Sequence, residues 1–204
     1  MKPATWASAV LGDACVGCRR PGFVLCRGCG DLLRRAESAP APPGVVRVHA
    51  GWKYEGAARA LVIALKERAR RGCAAPLAAA AAAAVWRAGL CADVLTWVPG
   101  NSAAARARGF DHGEVLATQV GARLGLDARR LIERVRIVRD QVGLSGRERR
   151  ANLAGAFEAR SIVPSRVALV DDVLTTGATA TACARALRAG GATSVEVVVA
   201  CLTD

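Results

Sequence analysis

Residues 166–180 constrain the fold of this chain more than any other stretch. Val167, Ala168, Leu169 and Val170 make an apolar run without polar alternation, the pattern of a parallel strand buried on both faces. The run delivers Asp171 and Asp172 into a loop of small residues, Thr175, Thr176, Gly177, Ala178 and Thr179. Backbone amides of such a loop can converge on an anion at the start of a helix, here expected over 178–188, where unpaired N–H groups and the helix dipole both favour phosphate. Carboxylates repel phosphate but accept hydrogen bonds from a diol. Two acids beside an anion cradle therefore point to a ribose 5-phosphate. The plainer alternative is a loop whose acids cap the helix.

The order of strand, Val170-Asp171-Asp172-Val173, then Thr175-Thr176-Gly177-Ala178-Thr179 resembles the phosphoribosyl pyrophosphate signature of the type I phosphoribosyltransferases. That resemblance implies an α/β fold, a parallel sheet flanked by helices. It also implies that Asp171 and Asp172 hold the ribose 2′ and 3′ hydroxyls while Thr175 to Thr179 wrap the 5′-phosphate.

With 204 residues the chain can hold one domain of ordinary size and a small appendage. A net charge of +12 invites polyanionic partners such as pyrophosphate, nucleotides or nucleic acid, although Arg-rich coding bias would give the same number. No apolar run reaches the roughly 18 residues that span a bilayer. The longest, 73–86, is mostly alanine, contains Pro76 and reads as a buried helix. Nothing near Met1 resembles an export signal, so a cytoplasmic location is expected.

Four of the eight cysteines fall as Cys15-x-x-Cys18 and Cys26-x-x-Cys29. Each knuckle presents two thiolates to one ion, and Gly17 and Gly28 are expected to permit the tight backbone. Four thiolates close a tetrahedral structural zinc site with no open position for catalysis; a redox dithiol is the rival and would need only one pair. The ribbon is expected over 1–38. Residues 39–44, rich in proline, form a linker, and the main domain is expected over 45–204. Cys73, Cys91, Cys183 and Cys201 show no pairing and are expected in the core.

Within the main domain, 45–52 reads as a strand and 57–66 as an amphipathic helix with Ala57, Leu61 and Leu65 inward, ending at Lys66. Lys66 is either a solvated helix-end cation or an anion ligand. Residues 93–99 read as a second buried strand, broken by Pro99 and Gly100 into a loop carrying Arg106 and Arg108. Guanidinium groups suit pyrophosphate because they donate in bidentate fashion and stay charged. A helix follows over 114–124, and His112 is given no catalytic part. Between 129 and 150 eight arginines face three acids. That segment is expected to resist burial and to form a basic loop, while 194–202 makes a last strand.

The cysteine ribbon, Tyr54-x-Gly56, Lys66, Val98-Pro99, Arg108-Gly109-Phe110-Asp111, Gln141-x-x-Leu144, Arg149-x-x-Asn152 and the Val170 to Gly177 signature together resemble the ComF family of competence-associated, phosphoribosyltransferase-like proteins. The resemblance implies that Gln141, Leu144, Arg149 and Asn152 belong to a flexible loop that closes over leaving pyrophosphate. Asp171, Asp172, Arg106, Arg108 and Lys66 would serve any catalysis. Mg2+ would arrive on phosphoribosyl pyrophosphate itself. It further implies a part in handling incoming single-stranded DNA during natural transformation, with other DNA-uptake proteins as partners. A salvage enzyme transferring phosphoribosyl to a nucleobase or amine is the alternative. The first 38 residues, with six basic side chains against three acids, are the expected DNA contact.

Overall fold

The structure is a computed structural model and describes residues 14–37, 39–136, 153 and 155–203. Among these, one four-stranded parallel sheet organises the chain. Its strands are β1 (Arg47–Lys53), β2 (Val94–Trp97), β5 (Arg166–Leu174) and β6 (Ser194–Leu202), in the spatial order β1-β6-β5-β2. Register is fixed by pairs such as Val48 with Val197, Val167 with Val195, and Leu95 with Ala168. The apolar runs of β5 and β6 lack alternation because both faces are covered, as parallel strands require.

One face packs α2 (Gly56–Glu67), α3 (Ala74–Ala88) and α5 (His112–Leu124) around Leu61, Leu65, Leu77, Leu116 and the β5 residues Ala168 and Val170. Small side chains on α3 allow a close approach to the sheet. The other face packs α6 (Ala178–Ala189) and a two-stranded antiparallel ribbon, β3 (Ile132–Arg134) with β4 (Phe157–Ala159), around Val167, Leu169, Cys183 and Leu187. Inside the sheet His49 Nε2 lies 2.6 Å from Glu196 Oε2, whose Oε1 accepts from the amide of Cys91. These hydrogen bonds satisfy most of the polar atoms buried at the end of the sheet opposite Asp172.

Both sheet edges are covered. Along β2, Leu95 N donates to Asp127 O and Leu95 O accepts from Arg129 N. Along β1, residues 34–36 run antiparallel: Lys53 N donates to Arg34 O and Ala36 N to Gly51 O. The cysteine-bearing segment, with its short helix α1 (Arg27–Asp31), thus leans on the sheet. Val16, Val24, Leu25 and Leu33 join the core beneath it.

Several expectations are corrected. Arg106 and Arg108 sit on a helix, α4 (Ser102–Arg108), rather than in a loop. Asn101 caps it, its side chain accepting from Ala103 N. Leu131 and Ile132 are buried despite the flanking arginines, because the β3–β4 ribbon packs them into the core with Phe157, Val167 and Leu187. Cys91 is exposed beside Arg166, unlike Cys73, Cys183 and Cys201. Ala57 is half-buried and Ala58 takes the inward position. Trp86 is 65% exposed because it falls on the solvent side of α3.

Candidate functional site

Side chains alternate along β5, so its two acids diverge. Asp172 follows Ala168 and Val170 onto the α2/α5 face, where it is buried; Asp171 follows Leu169 toward α6. Lys66, in the last turn of α2, places Nζ 2.8 Å from both oxygens of Asp172. The helix C-terminus favours a cation there. Burial opposes the charge on Lys66, but Asp172 and then Asp171 outweigh it and hold the ammonium above the ordinary lysine range. Burial, followed by the charge of Asp172, pushes Asp171 up to about 7, against the pull of Lys66. A pair of carboxyls with one nearby ammonium thus shares its charge unequally.

His112, the first residue of α5, reaches the same acid, with Nε2 3.5 Å from Asp172 Oδ2. On its other side Nδ1 lies 3.3 Å from a terminal nitrogen of Arg108. Burial holds His112 below its usual range, even though Asp172 pulls upward. The turn that carries these groups is fixed by Asp111 accepting from Gly113 N. It is fixed further by Arg71, which lies over Phe110 and donates to Gly109 O. Arg106 is exposed and joins no ion pair among the described residues. Arg108 is therefore joined to the Lys66–Asp172 pair through His112, a residue whose part the sequence does not reveal. Its only signal was its place directly after Arg108-Gly109-Phe110-Asp111.

The strand end then turns through Thr175 and Thr176, both exposed, to Gly177, which has φ 72° and caps α6. That conformation is the left-handed region that glycine enters freely. A Cβ here would also lie 2.7 Å from Pro42 Cγ. Pro42 is held in place by Val45 N donating to its carbonyl, and the neighbouring Gly44 carbonyl accepts from Arg188 Nε. A cavity of about 450 Å3 remains between this proline-rich segment and Thr175, Thr176, Lys53 and Thr203. Ala178 and Thr179 already belong to α6, with Ala178 N donating weakly to Thr176 Oγ1 at 3.4 Å. Gln141, Leu144, Arg149 and Asn152 lie outside the described residues.

The four cysteines converge at the far side of α2. Their sulfurs all lie within 4.8 Å of one another, with Cys18 and Cys26 at 3.5 Å. Zinc–sulfur bonds of about 2.3 Å in a tetrahedron require sulfurs about 3.8 Å apart, so this donor set fits a structural zinc ion. Burial raises the Cys15 thiol, but amide donors from Cys18, Cys26 and Gly17 outweigh it and bring it down to about 6. Hydrogen bonding to Cys26 and then Cys18 pushes Cys29 up to about 12. One thiolate is thus ready and another is suppressed by its neighbours, a conflict that a divalent cation removes. Gly17 is required because a Cβ there would sit 2.7 Å from Cys29 Sγ. Nothing crowds Gly28, contrary to the expectation that both glycines serve the knuckles.

No protein-family model matches the chain. It is 36% identical over 95 residues to Competence protein F of Haemophilus influenzae, a match covering 44% of this chain and 42% of that protein. It is 37% identical over 99 residues to DNA utilization protein YhgH of Salmonella typhi, covering 47% and 43%. The match spans less than half the length of these curated relatives. They bear out the resemblance to the ComF family read from the sequence. Among solved structures, the allosteric regulatory enzyme of purine biosynthesis and the glutamine phosphoribosylpyrophosphate amidotransferase of B. subtilis are each similar at 21% identity and TM-score 0.45. They cover 63% of this chain and 26% and 27% of theirs. The fold expected from the sequence, a parallel sheet flanked by helices and preceded by a four-cysteine cluster, stands on the strand order and the sulfur positions themselves. Among the described residues no helix is long and apolar enough to cross a membrane.

Proposed function

We propose that the chain binds phosphoribosyl pyrophosphate with Mg2+ at the carboxyl end of β5 and acts, like its relatives by name, in the use of incoming DNA. The single observation supporting the ligand is the convergence of Lys66, Asp172 and Arg108 beside a glycine-capped helix start. Acids suit the ribose diol, the start of α6 suits the 5′-phosphate, and the cations suit the diphosphate. Arg106 and the loop bearing Gln141, Leu144, Arg149 and Asn152 would add donors to the diphosphate on closure. Mg2+ would ride on ligand oxygens and water. The division into ribbon (1–38), linker (39–44) and ligand-binding domain (45–204) belongs to this reading, as does a cytoplasmic location.

Titration calorimetry tests it. Wild type should bind phosphoribosyl pyrophosphate with Mg2+, and Asp171→Asn with Asp172→Asn should lose that binding while keeping the fold. Persistent binding in the double variant sinks the assignment. Turnover is a separate question: release of pyrophosphate in the presence of a nucleobase or amine would favour the salvage-type transferase.

The second partner in this reading is single-stranded DNA; the name DNA utilization protein, borne by one relative, speaks only of DNA. Arg19, Arg20 and Arg27 are exposed on the cysteine segment and can contact phosphates, each contributing about 0.7 to the salt slope on single strands. Fluorescence anisotropy at rising salt should show binding that weakens in the triple alanine variant. Unchanged affinity would leave the segment as a docking element for other DNA-uptake proteins.

A further inference from the structure

His112 lies between the two groups that the proposed ligand would engage by different ends. Arg108 can only donate hydrogen bonds, so the Nδ1 it approaches at 3.3 Å must carry a lone pair. The ring proton then sits on Nε2, which faces the carboxylate of Asp172 at 3.5 Å. Partner chemistry points to one charge state and tautomer: a neutral imidazole whose Nδ1 accepts from the guanidinium and whose Nε2 proton faces the acid across an ionic distance, Asp172 Oδ2 making no hydrogen bond among the described residues. The ring has little freedom to do otherwise. Its side chain is 13% exposed, and the loop after β2 packs so close that a Cβ on Gly100 would lie 3.4 Å from Cε1.

Every charged group around the ring bears on this state. Asp172 faces it from β5, Lys66 from α2, Arg108 from α4, and Asp111 from its own turn at 4.0 Å, while Asp171 turns away toward α6. Burial and the two cations oppose a charged ring, while the acids favour one. Arg108 Nε is itself buried without a hydrogen-bond partner among the described residues, so His112 is the contact that holds this side chain.

We infer that His112 is a positioning residue that keeps Arg108, the diphosphate arm of the site, in register with Asp172, its sugar arm, and that it does so only while neutral. Protonation places a hydrogen on Nδ1 against the Arg108 donors. The bridge becomes a third cation beside Lys66 and Arg108, and Arg108 is released. Because the inference rests on the phosphoribosyl pyrophosphate reading, its test needs one readout that does not depend on that ligand.

That readout is the nitrogen-15 spectrum of the imidazoles. The chain has two histidines, and His112→Gln identifies the signal. At pH 7.5 the free protein should show His112 with a protonated Nε2 and a bare Nδ1; the opposite tautomer or a charged ring overturns the bridge. Binding of phosphoribosyl pyrophosphate with Mg2+ is then compared by calorimetry. His112→Leu should weaken it by about tenfold, as loss of a hydrogen bond to a charged group does. His112→Gln, which can offer an amide oxygen to Arg108 and an N–H to Asp172, should stay within about threefold of wild type at pH 7.5.

Between pH 7.5 and 5.5 wild type should lose affinity relative to His112→Gln, a comparison in which the ligand's own titration cancels. A constant ratio, a gain by wild type in acid, or equal affinity in the leucine variant overturns the inference. Absence of binding in wild type would instead defeat the ligand reading, and the tautomer would still decide the bridge.

Discussion

The cysteine cluster and the Asp172 cluster are both knots of charge packed against α2, yet they are built on opposite principles. The cysteines come from one stretch of fifteen residues, so two local turns bring them together. Asp172 instead meets Lys66, 106 residues earlier in the chain, and His112, supplied by a third element. The first suits an ion, which would resolve its crowded thiols. The second already balances its charge internally and opens toward the strand ends. A closed local site lends itself to structure and an open composite one to exchange of ligands, with the scaffold of the sheet positioning the latter.

Metal removal probes this contrast most strongly. Structural zinc contributes about 10–16 kcal/mol to the folding of small modules, so chelation should abolish hydrogen-exchange protection across residues 14–36. Amides of β5 and β6 should keep theirs, because their core is independent of the sulfurs. Simultaneous loss in both regions would break the distinction and make the two sites one cooperative unit.

A smaller effect is expected at the turn after β5. Gly177→Ala puts a side chain at φ 72° and against Pro42. A left-handed alanine costs about 1–2 kcal/mol, which for a chain of this size lowers Tm by about 2–8 °C. Calorimetric melting of the purified variant measures it. An unchanged Tm would mean that Pro42 moves aside and the turn relaxes.

A third effect separates the sites by the sign of their response to pH. Asp171 keeps its proton up to about pH 7 in the folded chain but releases it near 4 when unfolded. Between those values the folded state binds more protons, so this contribution to stability falls as pH rises and is fully lost above 7. The cysteine cluster responds in the opposite direction, since protons compete with metal. Denaturant midpoints of wild type and Asp171→Asn at pH 4.5, 6 and 7.5 should converge toward the acid end. Parallel curves would remove Asp171 from the account.

What could be read in advance follows the same divide. β5, the turn after it and the cysteine knuckles were legible because local spacing carries them: an unbroken apolar run, small residues before a helix, paired thiols. Lys66 was ambiguous, since a helix-end lysine has the same sequence whether it faces water or a buried acid 106 positions later. His112 is silent in the sequence for a related reason, as its meaning comes from Arg108 below and Asp172 across. Helix α4 reads as loop in the sequence because seven residues are too few for a periodic pattern. Cys91 and Trp86 ended outside because packing, not composition, decides which side of a short connection or helix faces the core.

Residues 34–36 give the cysteine segment one more consequence, for how the protein behaves in a crowded solution. They occupy the outer hydrogen-bonding groups of β1 at Gly51 and Lys53, and an uncovered strand edge is a template for any other extended chain. A version cut before residue 45 would retain every group of the Asp172 cluster and still present a bare rim of parallel sheet. Copies of such a fragment should associate edge to edge at concentrations where the longer chain stays separate.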